Sequence, residues 1–75
     1  MKQRRMNRIK KDLRESAALH HRIVTNALIE KGQSVMSAKL GADLIVAAAR
    51  SNDDSIQRSA NTYRAILGIE PRFGA

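Results

Sequence analysis

Residues 2–31, KQRRMNRIKKDLRESAALHHRIVTNALIEK, decide the fold. No proline or glycine interrupts them, and Arg, Lys, Leu, Ala and Glu, which favour helix, dominate. On a helical wheel, Met6, Ile9, Leu13, Ala17, His20, Ile23, Val24, Ala27 and Leu28 gather in one apolar stripe. This spacing predicts a single first helix of about 28 residues, roughly 40 Å long at ~1.5 Å per residue. Lys31 suits the negative end of its dipole, and Gly32 suits the position just beyond, where a left-handed residue stops a helix.

Working outward, Gln33 or Ser34 opens a second helix expected to reach Arg50. Met36, Leu40 and Leu44 recur every fourth residue, with Val35, Ile45 and several alanines on neighbouring faces. From Leu44 to Ala49 the helix is apolar nearly all round, which predicts burial between elements or subunits. Gly41 weakens a helix relative to alanine, and close approach of another helix is one reason to keep it. In Ser51-Asn52-Asp53-Asp54, Ser51 is read as the cap of a third helix, with Asp54 three residues on. That helix runs to Leu67, with Ile56, Ala60, Tyr63 and Leu67 on one face, and Gly68 followed by Ile69 ends it. The rest, Glu70 to Ala75, is expected to be extended and docked by Phe73.

The expectation is an all-α, three-helix domain over residues 1–75: a basic head at 1–14, a helical body at 15–68 and a tail at 69–75. Helices two and three are expected to pack on the apolar stripe of the first. A chain of 75 residues buries little core, and with no cysteine it has no disulfide or thiolate metal site to staple it. Association is the remaining means of burying apolar surface, so a homo-oligomer is expected, with Leu40, Leu44, Ile45 and Ala48 at the interface. The charged N-terminus lacks the apolar run of a signal peptide, and Leu44 to Ala49 is too short to span a bilayer. The expected location is the cytoplasm, without membrane contact.

Charge carries the functional reading. The net charge is +7, and residues 1–14 hold Lys2, Arg4, Arg5, Arg8, Lys10, Lys11 and Arg14 against Asp12 alone. The other 61 residues carry seven basic and six acidic side chains, so a cationic head is joined to a near-neutral body. Such asymmetry points to a polyanionic partner. Arg4, Lys11 and Arg22 share one helix side, flanked by Arg8 and Arg14, while Lys2 and Arg5 fall under the apolar stripe. Arginine forks bond phosphate oxygens, and neutralised phosphates release counterions. The seven basic residues of the head are therefore the expected nucleic-acid contacts.

Tyr63 and Phe73 are the two aromatic residues, and neither lies in the head, which disfavours base stacking on single strands. A helix-turn-helix fits poorly. A reading helix at 54 would begin with Asp53 and Asp54, and one at 35 would offer Lys39 as its single early charge. A basic zipper fits the layout better, but its seam lasts about three heptads and includes Ser16 and His20. Adjacent His20 and His21 point about 100° apart, with no carboxylate four residues away, so no metal site is expected and His20 is read as a packed histidine.

No nucleophile elbow, phosphate loop or zinc-binding helix pattern occurs, and Asp53 and Asp54 have a capping role that needs no chemistry. A non-enzymatic protein without cofactor or small-molecule substrate is expected. The leading reading is a small regulatory or accessory protein, DNA-binding or RNA-binding through its first helix, with a body that oligomerises. The alternative is a helical protein-interaction module, an inhibitor or adaptor docked on an acidic surface of a larger complex. A continuous basic face would favour the first, and a basic spot beside an exposed apolar patch the second.

Overall fold

The chain reverses at Gly32, whose φ of 97° lies in the left-handed region. The computed structural model describes the backbone of residues 2–75 and the side chains of residues 15–75. Helix α1 spans Lys2–Glu30, α2 spans Val35–Ala48 and α3 spans Asp54–Leu67. Among the described residues there is no strand. At the end of α1, Gln33 N donates to Leu28 O and Gly32 N to Ile29 O, both at 3.0 Å, which satisfies two terminal carbonyls. Gly68 repeats the device after α3 with φ 73°, and Ile69 N donates to Arg64 O at 2.8 Å. Ser34 caps α2 by accepting from Ser37 N at 3.1 Å.

The cap of α3 is Asp53 and not Ser51. The Asp53 carboxylate accepts from Ser55 N at 2.8 Å and Ile56 N at 3.4 Å. Ser51 Oγ accepts from Asp53 N, two residues earlier than a helix cap would act. Either oxygen can satisfy an orphan N–H, and an ionised carboxylate also gains from the positive end of the helix dipole.

Helix α2 packs between α1 and α3, which scarcely meet each other. This arrangement differs from the expected pair of helices on α1's stripe, and it accounts for the apolar excess of α2. The core is small: Val24 and Leu28 from α1, Ala38, Ala42, Ile45 and Ala48 from α2, and Ala60 from α3. Because α1 packs mainly against α2, the stripe residues with described side chains are covered unequally. Val24, Thr25 and Leu28 are buried, whereas Ile23 is 57% exposed and His20 is also exposed. The packed histidine is instead His21, whose Nε2 lies 2.6 Å from Asp43 Oδ1 on α2.

Small residues let α2 approach its neighbours closely. A Cβ at Gly41 would meet the Tyr63 ring, with Cγ at 2.7 Å, and Leu28 Cδ1 at 2.8 Å. The close approach expected at this glycine is therefore present, with α1 and α3 both contributing.

The face α3 turns inward carries the expected Ile56, Ala60, Tyr63 and Leu67 against the core, and it also takes in two polar residues. Its fully buried residues are Gln57, Ala60 and Arg64, while Ile56, Tyr63 and Leu67 are half-buried. Gln57 supplies the reason. Its Nε2 donates to Ala48 O and Ser51 O, both at 2.7 Å, and so closes the carbonyl end of α2. Buried carbonyls need such partners more than α3 needs a purely apolar face.

Beyond Gly68 the tail returns along α3 and is held by polar contacts. Asn61 Nδ2 donates to Arg72 O at 2.7 Å, and Asn61 Oδ1 accepts from Arg72 N at 2.9 Å. Gly74 N donates to Asp54 Oδ1 at 2.9 Å, and Ala75 N to Asn52 O at 3.0 Å. Phe73 is 71% exposed, so the expected aromatic anchor is replaced by backbone hydrogen bonds.

Candidate functional site

The basic residues proposed from the sequence, Lys2, Arg4, Arg5, Arg8, Lys10, Lys11 and Arg14, have side chains outside the described residues. What is described is the backbone that carries them, one helix running from Lys2 to Glu30 without interruption. At about 1.5 Å per residue α1 is roughly 43 Å long, which accounts for most of the longest dimension of 47 Å. Helix α2, with 14 residues, is half as long.

The four residues expected at an interface divide. Ile45 and Ala48 are buried in the chain's own core, since α2 is the central helix. Leu44 is half-buried against that core. Leu40 is 54% exposed and lies on an outward stripe with Met36, which is 84% exposed. Val35, Leu19 and Ile23 add further exposed apolar surface.

On the body, Arg22, Lys31, Lys39 and Arg50 are exposed and belong to different stretches of the chain. Arg58 pairs with Asp54 four residues earlier. That aspartate also accepts from Gly74 N, and this hydrogen bond, followed by the one from Arg58, holds its carboxyl below the usual range. Asp53 and Asp54 are thus engaged within the chain, one as a cap and the other as the anchor of the tail. The first turn of α3 therefore presents two engaged carboxylates and no basic group. The first turn of α2 presents Val35 and Met36, both apolar.

A feature that the sequence reading missed lies between α1, the end of α2, α3 and the tail. A cleft of about 180 Å³ is lined by His20, Ile45, Ala49, Arg64, Ile69 and Arg72. Arg64 is only 4% exposed. Its Nη1 donates to Asn61 Oδ1 at 2.8 Å and, at 3.5 Å, to Gln57 O. Burial, and then the positive charge of Arg72, disfavour its charged form, though a guanidinium stays protonated at neutral pH.

No protein family matches the chain, and no curated protein or solved structure is significantly similar to it. The residues themselves carry the functional argument. The signal for Arg64 was available in principle. It stands four residues after Ala60 and seven after Gln57, so the three share a helix face that an apolar pattern alone does not select.

Proposed function

We propose that this is a small basic accessory or regulatory protein that binds nucleic-acid phosphates through the head of α1, while its body associates with a second copy. The observation that carries the reading is charge segregation: seven basic residues against Asp12 in residues 1–14, beside a body of seven basic and six acidic side chains. The helix-favouring composition of the head supports it, because a helix spaces cations regularly along a phosphate backbone. The contact is electrostatic, with weak sequence preference, and stacking contributes little. The protein acts by binding and not by catalysis, and it needs no cofactor.

Association of the body is supported by surface. Among the described residues the body leaves Leu19, Ile23, Val35, Met36 and Leu40 exposed. Leu40 and Met36 lie on the uncovered side of α2, on the near-neutral body, where association meets little charge repulsion.

Retention on immobilised duplex DNA and structured RNA across a salt series tests the proposal. The full chain should be retained at low salt and released as salt rises, and a chain lacking residues 1–10 should be retained far less. Equal retention of the two, or none at low salt, would abandon nucleic acid. One observation favours the second reading, a module docking on an acidic protein surface: the described surface carries scattered basic groups beside exposed Val35, Met36 and Leu40. That reading would then take its place.

A further inference from the structure

The polar lining of the cleft at Arg64 consists of one imidazole and two guanidiniums, with no carboxylate among the lining residues. They come from three segments: His20 from α1, Arg64 from α3 and Arg72 from the tail. Among the described residues Arg64 makes no ion pair, although it is nearly fully buried. Buried charges are ordinarily paired, because removing an ion from water is costly without a counter-charge. The tail makes the imbalance larger. Asn61 donates to Arg72 O and accepts from Arg72 N, which fixes the backbone of Arg72 beside Arg64, so like charges are held together where a free tail would let them separate.

Donors also remain unused. Among the described residues Arg64 bonds only through Nη1, and the Arg72 guanidinium forms no hydrogen bond. Ile45, Ala49 and Ile69 give the cleft an apolar wall, which strengthens any charge-assisted hydrogen bond formed there. A single guanidinium fork satisfies the two oxygens of a carboxylate. Three nitrogen-bearing side chains from three directions suit an anion with more oxygens, arranged tetrahedrally.

We propose that this cleft binds a phosphate group, with Arg64 as the buried anchor, Arg72 as the outer clamp and His20 closing the side toward α1. The phosphate is either free, as inorganic phosphate or a phosphomonoester, or part of a nucleic-acid backbone. The site uses no residue of the basic head and stands on its own observations.

Titration of the isotope-labelled full chain with inorganic phosphate, against chloride at matched ionic strength and pH, tests it. Saturable NMR shifts should concentrate at Ala49, Ile69, Arg72 and the Arg64 side-chain Nε–H. Arg72→Gln, an exposed position, should weaken binding about tenfold through loss of a charge-assisted contact. Arg64→Lys keeps the charge but loses the fork and should weaken it as well, with helix content unchanged by circular dichroism. Shifts that never saturate, equal saturation by acetate, or undiminished binding in both variants would overturn the proposal.

Duplex DNA separates the two sources. If the site takes a backbone phosphate, Arg72→Gln lowers the salt slope of duplex binding by about one. If it takes free phosphate, duplex binding is unchanged while the phosphate shifts weaken. Replacing Arg4, Arg5 and Arg8 by alanine should leave inorganic phosphate binding intact, so failure of the cleft and failure of the head are read separately.

Discussion

Gly41 shows how one residue sets the packing distance among three helices. Alanine there would improve helix propensity by about 1 kcal/mol. Its Cβ would also push against the Tyr63 ring and Leu28, and overpacking of this kind costs about 1–3 kcal/mol. Gly41→Ala should therefore lower the midpoint of urea unfolding, and a raised midpoint would show that the ring moves aside freely. The glycine was legible as an oddity in a helix, but its neighbours were not, because they come from both other helices. Gln57 was not legible at all, since nothing local marks a glutamine as the closing group for carbonyls at 48 and 51. Gln57→Ala removes both side-chain bonds, leaving Ala48 O with Ser51 N alone at 3.3 Å and part-buried Ser51 O without this donor, and should cost about 1 kcal/mol by chemical denaturation. The cap of α3 gives a sharper contrast. Asp53→Ala should cost about 1 kcal/mol and Ser51→Ala clearly less, and the reverse order would restore Ser51 as the cap.

Among the elements, α1 and the turn at Gly32 were readable because their signals are local: periodicity, a basic residue and a glycine in order. The partnership of α1 with α2 has a simple trace in the numbering. His21 and Asp43 are equidistant from Gly32 and meet across the two antiparallel helices. The tail was harder, because extended segments held by backbone hydrogen bonds carry no hydrophobic pattern, and Phe73 was a misleading anchor. Gly74 is the residue the docking requires, since a Cβ there would strike Asn52 O and lie 2.5 Å from Asp54 N. Gly74→Ala should release the tail, visible as faster amide exchange at Ala75 and loss of the Arg72 contact to Asn61. The same contact responds to acid. The Asp54 carboxyl is held below its ordinary value by Gly74 N and then by Arg58, so its contribution is present above the unfolded value. It is lost as pH falls through the lower, folded value. The Gly74 amide should thus keep its docked NMR shift down to about pH 4 and move only below it. A midpoint above the ordinary aspartate value would contradict the role of Asp54 as anchor.

For the whole molecule, a thin core of mostly small side chains is the consequence of placing α2 between two helices that scarcely meet. Leu28→Ala removes the largest fully buried side chain and should cost about 2–5 kcal/mol, a large part of the total stability of so small a domain. Composition indicated the need for further burial. It did not show which leucines were free, because Ile45 and Ala48 are used internally and Met36 and Leu40 are not. Association should appear in sedimentation equilibrium at micromolar concentration and weaken in Leu40→Gln, and a stable monomer throughout would remove the oligomeric part of the account. Phosphate binding by the head is tested most directly by the salt dependence of duplex DNA binding. With four to six phosphates neutralised, the slope of log affinity against log salt should be about −3.5 to −5.5. Replacing Arg4, Arg5 and Arg8 by alanine should reduce its magnitude by up to about three units while helix content of the body stays intact. A slope near zero, or one that the triple replacement leaves unchanged, would contradict phosphate binding by the head of α1.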